Sequence, residues 1–133
     1  LYELHKDVCE WFADNLKKDS AKEIMAYLYK RGITDAYIAT FQIGYAPDGW
    51  DGLIHWARSK NYSMEILVKA GLVVHKAENN RYYDRFRHRV MFTIWNDEGK
   101  PIAFSGRVLD KEDKGAKYVN SPETPIFHKS AVL

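Results

Sequence analysis

The residues best suited to chemistry lie in Arg81-Tyr82-Tyr83-Asp84-Arg85-Phe86-Arg87-His88-Arg89-Val90-Met91-Phe92, where four arginines stand against one aspartate, interleaved with aromatic side chains. Guanidinium groups bind phosphate oxygens through charge-assisted, often paired hydrogen bonds. Planar rings beside cations suit stacked bases. In an extended chain Arg85, Arg87 and Arg89 project from one side, roughly 7 Å apart by strand rise. That repeat matches a sugar–phosphate backbone better than a single small anion. The competing reading is the solvated outer face of a half-buried strand, and the interleaved aromatics tip the balance towards nucleic acid.

Further candidates lie outside this stretch. Trp50 ends the Gly44-Tyr45-Ala46-Pro47-Asp48-Gly49 segment, where it either stacks on a base or plugs the helical core. Arg31 precedes Gly32 at a predicted helix end, where a cation neutralises the helix C-terminus. Lys117 and Lys129 bracket the proline-set Asn120-Ser121-Pro122-Glu123-Thr124 segment, as an anion clamp or as two solvated side chains. Catalytic groups are scarce. The five histidines are scattered without metal-ligand spacing and read as structural or surface residues. Neither Gly106-Arg107 nor Gly44 to Gly49 continues into the Gly-Lys-Ser/Thr of a phosphate-binding loop. The acidic residues form no tight cluster of the kind a two-metal nucleotidyl-transfer site needs. These residue types describe a binding surface.

Composition sets the frame for that surface. At 133 residues the chain is long enough for one domain with a real core. No apolar run approaches a membrane span, and no signal peptide is visible. The single cysteine, Cys9, lies in a helical pattern as a small core residue, fits a reducing compartment and excludes a thiolate-based zinc site within this chain. Residues 1–70 hold nine basic and ten acidic side chains, and residues 71–133 hold eleven and eight, so the +2 net charge belongs to the second half. Beginning at Leu1 and stopping in an unfinished segment, the chain is expected to be a piece of a longer protein.

The elements that must carry these side chains follow from periodicity. Leu1, Leu4, Val8, Trp11, Phe12 and Leu16 predict an amphipathic helix over 1–18. Ser20 with Glu23 forms a capping box opening a second helix, which Gly32 ends. Thr34 caps a third, with Ile33 and Ile38 at the spacing of a hydrophobic staple. Residues 44–50 predict a loop. A fourth helix is expected from about Asp51 to Lys60, and Ser63 caps a fifth that ends at Gly71. From Leu72 the period changes to strands, with a turn at Glu78-Asn79-Asn80. The arginine-rich run and Ile102 to Leu109 form a hairpin around Asn96-Asp97-Glu98-Gly99. The two prolines at 122 and 125 keep the tail out of helix. Helices over about 1–71 followed by strands over about 72–133 predict an α+β domain with an antiparallel sheet.

Tyr83-Asp84-Arg85-Phe86-Arg87, Arg89-Val90-Met91-Phe92, Gly106-Arg107-Val108 and above all Lys117-Tyr118-Val119-Asn120-Ser121-Pro122-Glu123-Thr124-Pro125 resemble the bacterial DNA primases of the DnaG type, in the order and spacing of that family. Lys30-Arg31-Gly32 and Ile43 to Trp50 match as well, so the resemblance covers nearly the whole chain. It implies the N-terminal basic subdomain of an RNA polymerase core. The zinc ribbon with its Zn²⁺, the Toprim subdomain with its catalytic Mg²⁺, and the helicase-binding domain would lie elsewhere in the parent protein. By motif, Arg31, Trp50, Arg85, Arg87, Arg107 and Asn120 are expected on the single-stranded DNA template, joined by Arg89 from the strand-face reading, and Lys117 and Lys129 near the NTPs and RNA primer. Thr93 replaces the proline usual after Met-Phe, a change expected to touch only the strand edge. Ala131 stands where a basic residue often follows the His-Lys pair. The resemblance implies a cytoplasmic enzyme making RNA primers, partnered by a replicative helicase and by no membrane, with this piece inactive alone. Two rivals remain. One is a non-catalytic single-strand-binding module of a phage or plasmid replication protein. The other is an interaction domain whose arginines meet an acidic partner.

Overall fold

The first helix, α1 (Tyr2–Leu16), turns Leu4, Val8, Phe12 and Leu16 inward at helical spacing, and each is almost fully buried. In the computed structural model, residues 2–108 and 118–127 are described. A 3₁₀ turn over Asp19–Ala21 then delays the second helix, α2 (Lys22–Lys30). Ala21 N–H bonds Lys18 O at 3.0 Å, so Ala21 occupies the N-cap without a side-chain cap. The capping box expected from Ser20 and Glu23 is therefore displaced by a tighter local turn. Helix α2 ends as predicted: Gly32 takes φ +83°, its N–H reaches Tyr29 O at 3.0 Å, and Ile33 N–H reaches Leu28 O at 3.1 Å. This pair of bonds closes a helix on a left-handed residue. Thr34 caps α3 (Asp35–Phe41) by accepting from Tyr37 N–H at 3.2 Å.

The segment expected to be a loop begins with a short strand, β1 (Gly44–Ala46). The reason lies at Gly44, where an added Cβ would sit 2.5 Å from the Phe12 carbonyl carbon. Only glycine lets this backbone lie flat against α1. Helix α4 (Gly52–Ser59) follows, then α5 (Met64–Lys69), capped by Ser63, whose hydroxyl accepts from Ile66 N–H at 3.2 Å. Gly71 (φ +76°) ends α5, with Leu72 N–H on Leu67 O at 3.1 Å.

The strands are β2 (Val73–Lys76), β3 (Arg81–Asp84), β4 (Arg89–Trp95), β5 (Pro101–Val108) and β6 (Tyr118–Asn120). They form two antiparallel sheets, one ordered β1-β4-β5-β6 and the other the β2–β3 hairpin. The arginine-rich run is thus not one strand. Between β3 and β4 the residues Arg85-Phe86-Arg87-His88 leave the ladder. Phe86 turns into the core against Phe12 and Phe104, Arg85 N–H bonds Leu72 O at 2.9 Å, and His88 adopts φ +49°.

The larger sheet is covered on two sides. Phe12 of α1 with Leu53 of α4 and Leu67 of α5 packs on Met91 and Phe104. Leu28 of α2 and Ile38 of α3 pack with Ile43, Tyr45 and Val90. Cys9 is buried, its thiol near Thr93 Oγ1 (3.2 Å) and Gln42 Oε1 (3.4 Å). Because β1 pairs only with Arg89–Met91, Thr93 lies where β4 is an edge on that side. Among the described residues no helix is long and apolar enough to cross a membrane.

Candidate nucleic-acid interface

The connection that broke the strand also assembles the site. Asp84, 3% exposed, closes the β2–β3 ladder opposite Val73 and projects its carboxylate onto the start of α4. Oδ2 accepts from Leu53 N–H at 2.8 Å and Oδ1 from Ile54 N–H at 3.2 Å. Asp51, the residue at the helix N-cap, makes no side-chain cap, so a carboxylate distant in sequence satisfies the first turn's donors. The Asp84 backbone N–H donates to Trp50 O at 2.7 Å, which fixes the loop that carries the tryptophan. Burial pushes the Asp84 carboxyl up to about 6. The two amide donors and Arg87 pull against that rise, and Asp51 adds to it.

Trp50 is 59% exposed, which rules out the core plug. Its ring meets Tyr83 edge to face, with centroids 5.6 Å apart. The Arg87 guanidinium lies 4.1 Å from the Trp50 centroid and 5.1 Å from that of Tyr83. Its Nη1 has no hydrogen-bond partner among the described residues, and both rings lie within cation–π range of the guanidinium. The result is a cation clasped by two rings, one of which presents itself to solvent. Such a surface can stack a base and draw in a phosphate.

The other arginines do not join it in a ladder. Arg85 is half-buried, and its Nε donates to Gly71 O at 2.8 Å; burial lowers its pKa from the ordinary value without removing the charge. Arg89 starts β4 and runs over Gly106, where an added Cβ would sit 3.0 Å from Arg89 Cδ. The expected row of three guanidiniums on one strand face is therefore wrong in geometry. It fails because Phe86 is claimed by the core and His88 bends the chain, a bend held by His88 N–H on Pro47 O (3.2 Å) and Tyr45 Oη near His88 Nδ1 (2.8 Å).

Arg107 and Asn120 share a different face. Register pairs Val90 with Arg107 and Ser105 with Asn120. Alternation then puts both on the side of β5 and β6 away from Phe104. Arg31 sits at the end of α2 with its guanidinium 5.2 Å from the Tyr27 centroid, on its own helix. Lys117 and Lys129 lie outside the described residues. The tract between them is pinned at particular residues: Ser121 is fully buried and exchanges hydrogen bonds with Phe104 backbone, both at 2.9 Å. Thr124 is buried as well, while Asn120 is exposed.

Sequence reasoning did not single out Tyr83, Lys76 or Asp84. Lys76 lies 5.8 Å from the Tyr83 centroid. The lone acid in a basic run was the available signal for Asp84. Among the described residues no three His, Cys, Asp or Glu side chains are grouped to hold a metal ion.

Comparison with known proteins sets this arrangement in a family. The model of the DNA primase catalytic core, N-terminal domain, matches residues 11–133. The DNA primase of Deinococcus radiodurans is 46% identical over 133 residues, spanning 100% of this chain and 22% of that protein. A DnaG primase catalytic domain bound to ssDNA superposes with TM-score 0.83 at 40% identity, over 96% of this chain and 38% of the other. The RNA polymerase domain of Mycobacterium tuberculosis DnaG, in complex with a double-stranded DNA oligomer with a 6-nucleotide overhang, gives TM-score 0.87 at 32% identity, over 97% and 40%. The chain spans about a fifth of the length of the curated relatives it matches.

Proposed function

The chain belongs to the bacterial DNA primases of the DnaG type, as the N-terminal domain of their catalytic core, and on that premise we propose that it holds the single-stranded template for RNA primer synthesis. The observation that carries this reading is the Arg87 guanidinium clasped between Trp50 and Tyr83, with Trp50 open to solvent. Bases stack on the exposed ring and phosphates meet the cation. Arg31, Arg85, Arg89, Arg107 and Asn120 serve the same strand at its margins, Arg85 chiefly by fixing the loop from which Arg87 projects. Lys117 and Lys129 act on the incoming nucleotide or nascent primer, a role resting on motif alone. Primer synthesis itself, its metals and the helicase contact belong to the parent protein, at work in the bacterial cytoplasm.

Fluorescence anisotropy on a labelled oligonucleotide tests the reading. If three to five phosphates are neutralised, the log–log salt slope is about −2 to −4, at roughly 0.7 per phosphate of a single strand. Trp50→Ala weakens binding by about 1–3 kcal/mol and leaves the melting temperature unchanged. A salt-independent affinity, or full binding by the Trp50→Ala variant, overturns the proposal. In a longer primase, Lys117→Ala or Lys129→Ala should lower primer yield far more than template affinity. Equal losses would refute that division of labour.

A further inference from the structure

The β2–β3 hairpin carries more of the same chemistry than the clasp requires. Its register pairs Val74 with Tyr83 and Lys76 with Arg81, and paired residues share a face. One face therefore runs outward from the clasp through Tyr83 to Lys76 and Arg81. Both cations are exposed, and the Lys76 ammonium sits over the Tyr83 ring at 5.8 Å. Glu78, in the turn, is the single acidic residue between Val73 and Tyr83. Successive residues on one strand face stand about 7 Å apart, close to one nucleotide step of an extended single strand. Arg87, Lys76 and Arg81 thus surround the Tyr83 ring, which abuts Trp50, on a face that packs against no helix core: of the hairpin's residues only Val73 and Asp84, at its base, are buried.

We propose that this face of the β2–β3 hairpin is an extension of the template path, with Lys76 and Arg81 binding the phosphates of the one or two nucleotides beyond the base stacked on Trp50. The inference rests on the template-binding reading. Its occupant is single-stranded nucleic acid, because alternating cations and an aromatic ring at strand spacing complement a phosphate chain with unstacked bases. An acidic protein surface offers no matching partner for Tyr83.

The test measures anisotropy against salt for the 133-residue chain on a labelled oligothymidylate. It compares the wild type, K76A/R81A, K76R/R81K, Trp50→Ala, and a control, K17A/K18A, which removes two exposed lysines at the far end of α1. The K76A/R81A slope should be shallower by about 1.4, two phosphates at roughly 0.7 each. The swapped variant K76R/R81K should keep the wild-type slope, K17A/K18A should leave it unchanged, and all melting temperatures should match. A K76A/R81A slope equal to wild type overturns the proposal, as does an equal loss in the lysine control, which would mark a bulk charge effect. If Trp50→Ala binds as wild type, the template reading fails and the hairpin path with it. If Trp50→Ala loses affinity while K76A/R81A does not, the hairpin path alone fails.

Discussion

The four-stranded sheet and the two-stranded hairpin use the same kind of ladder to opposite ends. In the larger sheet Val90, Met91, Ala103 and Phe104 are all but sealed from water, with helices against both faces. In the hairpin only the base is buried, Val74 and Tyr83 are half-buried, and the outer positions carry Lys76, Arg81, Tyr82 and His75, the last two stacked 4.3 Å apart. A sheet that is buried on both sides has its register fixed by its side chains. A short exposed hairpin is free to spend its side chains on a ligand, provided something else holds it. Asp84 is that something, because it ties the hairpin base to the N-terminus of α4 and to the Trp50 loop at once. Rigid framework and binding chemistry are thus separated, and one carboxylate joins them.

The sharpest way to break this contrast is to disturb the framework. In Gly44→Ala the new methyl would meet Phe12 backbone at 2.5 Å, which no side-chain rotation relieves. Overpacking of this kind costs about 3 kcal/mol or more, and a thermal melt should fall by about 10 °C. A near-neutral effect would mean the sheet is softer than its packing implies. Next in size is the joint itself. Asp84→Ala strands the Leu53 and Ile54 amides, at about 1–3 kcal/mol for each unsatisfied group. Unlike Gly44→Ala, it should also weaken oligonucleotide binding when measured well below its melting point, because Trp50 loses its anchor. Stability lost without any change in binding would show that the hairpin and Trp50 need no such tie.

The smallest effect is in the pH response. Burial raises the folded Asp84 carboxyl to about 6, above roughly 3.9 for an unfolded aspartate. A raised acid contributes stability that is full below the unfolded value and is lost as pH rises through the folded one. Unfolding free energy should therefore decline between about pH 4 and about pH 6, by no more than about 3 kcal/mol at 1.36 kcal/mol per unit. Asp84→Asn should flatten that part of the profile. Chemical denaturation across this window, with the Asp84 carboxyl followed by NMR, checks both the sign and the midpoint.

What the sequence disclosed was the local part. Gly32, Thr34, Ser63 and Gly71 end or begin helices where their types predict, since caps are settled within a few residues. Strand β1 was hidden because Gly44 needs its shape only against Phe12, far away in the chain. The break between β3 and β4 was hidden for the same reason: Phe86 and Asp84 answer to a core and a helix end that periodicity cannot see. At the site, arginines and tryptophan were legible as types. Their grouping was not, since Arg87 meets Trp50 across two helices and a hairpin of intervening sequence while Arg85 turns to a carbonyl. The lysines that bracket the Asn-Ser-Pro-Glu-Thr run lie outside the described residues, and within the run Ser121 and Thr124 face inward and make it a fastening, a role that its residue types did not disclose.

That fastening has a consequence for how the chain acquires its shape. A Cβ on Gly71 would lie 2.5 Å from Pro122 Cδ, so the end of α5 and the late proline occupy each other's space, with Arg85 held by the same glycine's carbonyl. More than a third of the chain separates the two partners, and closing so long a loop costs entropy that no local turn returns. The docking of Pro122 should therefore be among the last events of folding, after α5 has terminated and the β4–β5 hairpin has closed. A nascent chain released before this residue emerges would carry a complete helical half and an unlatched sheet, with Phe104 waiting for the backbone partner that Ser121 brings.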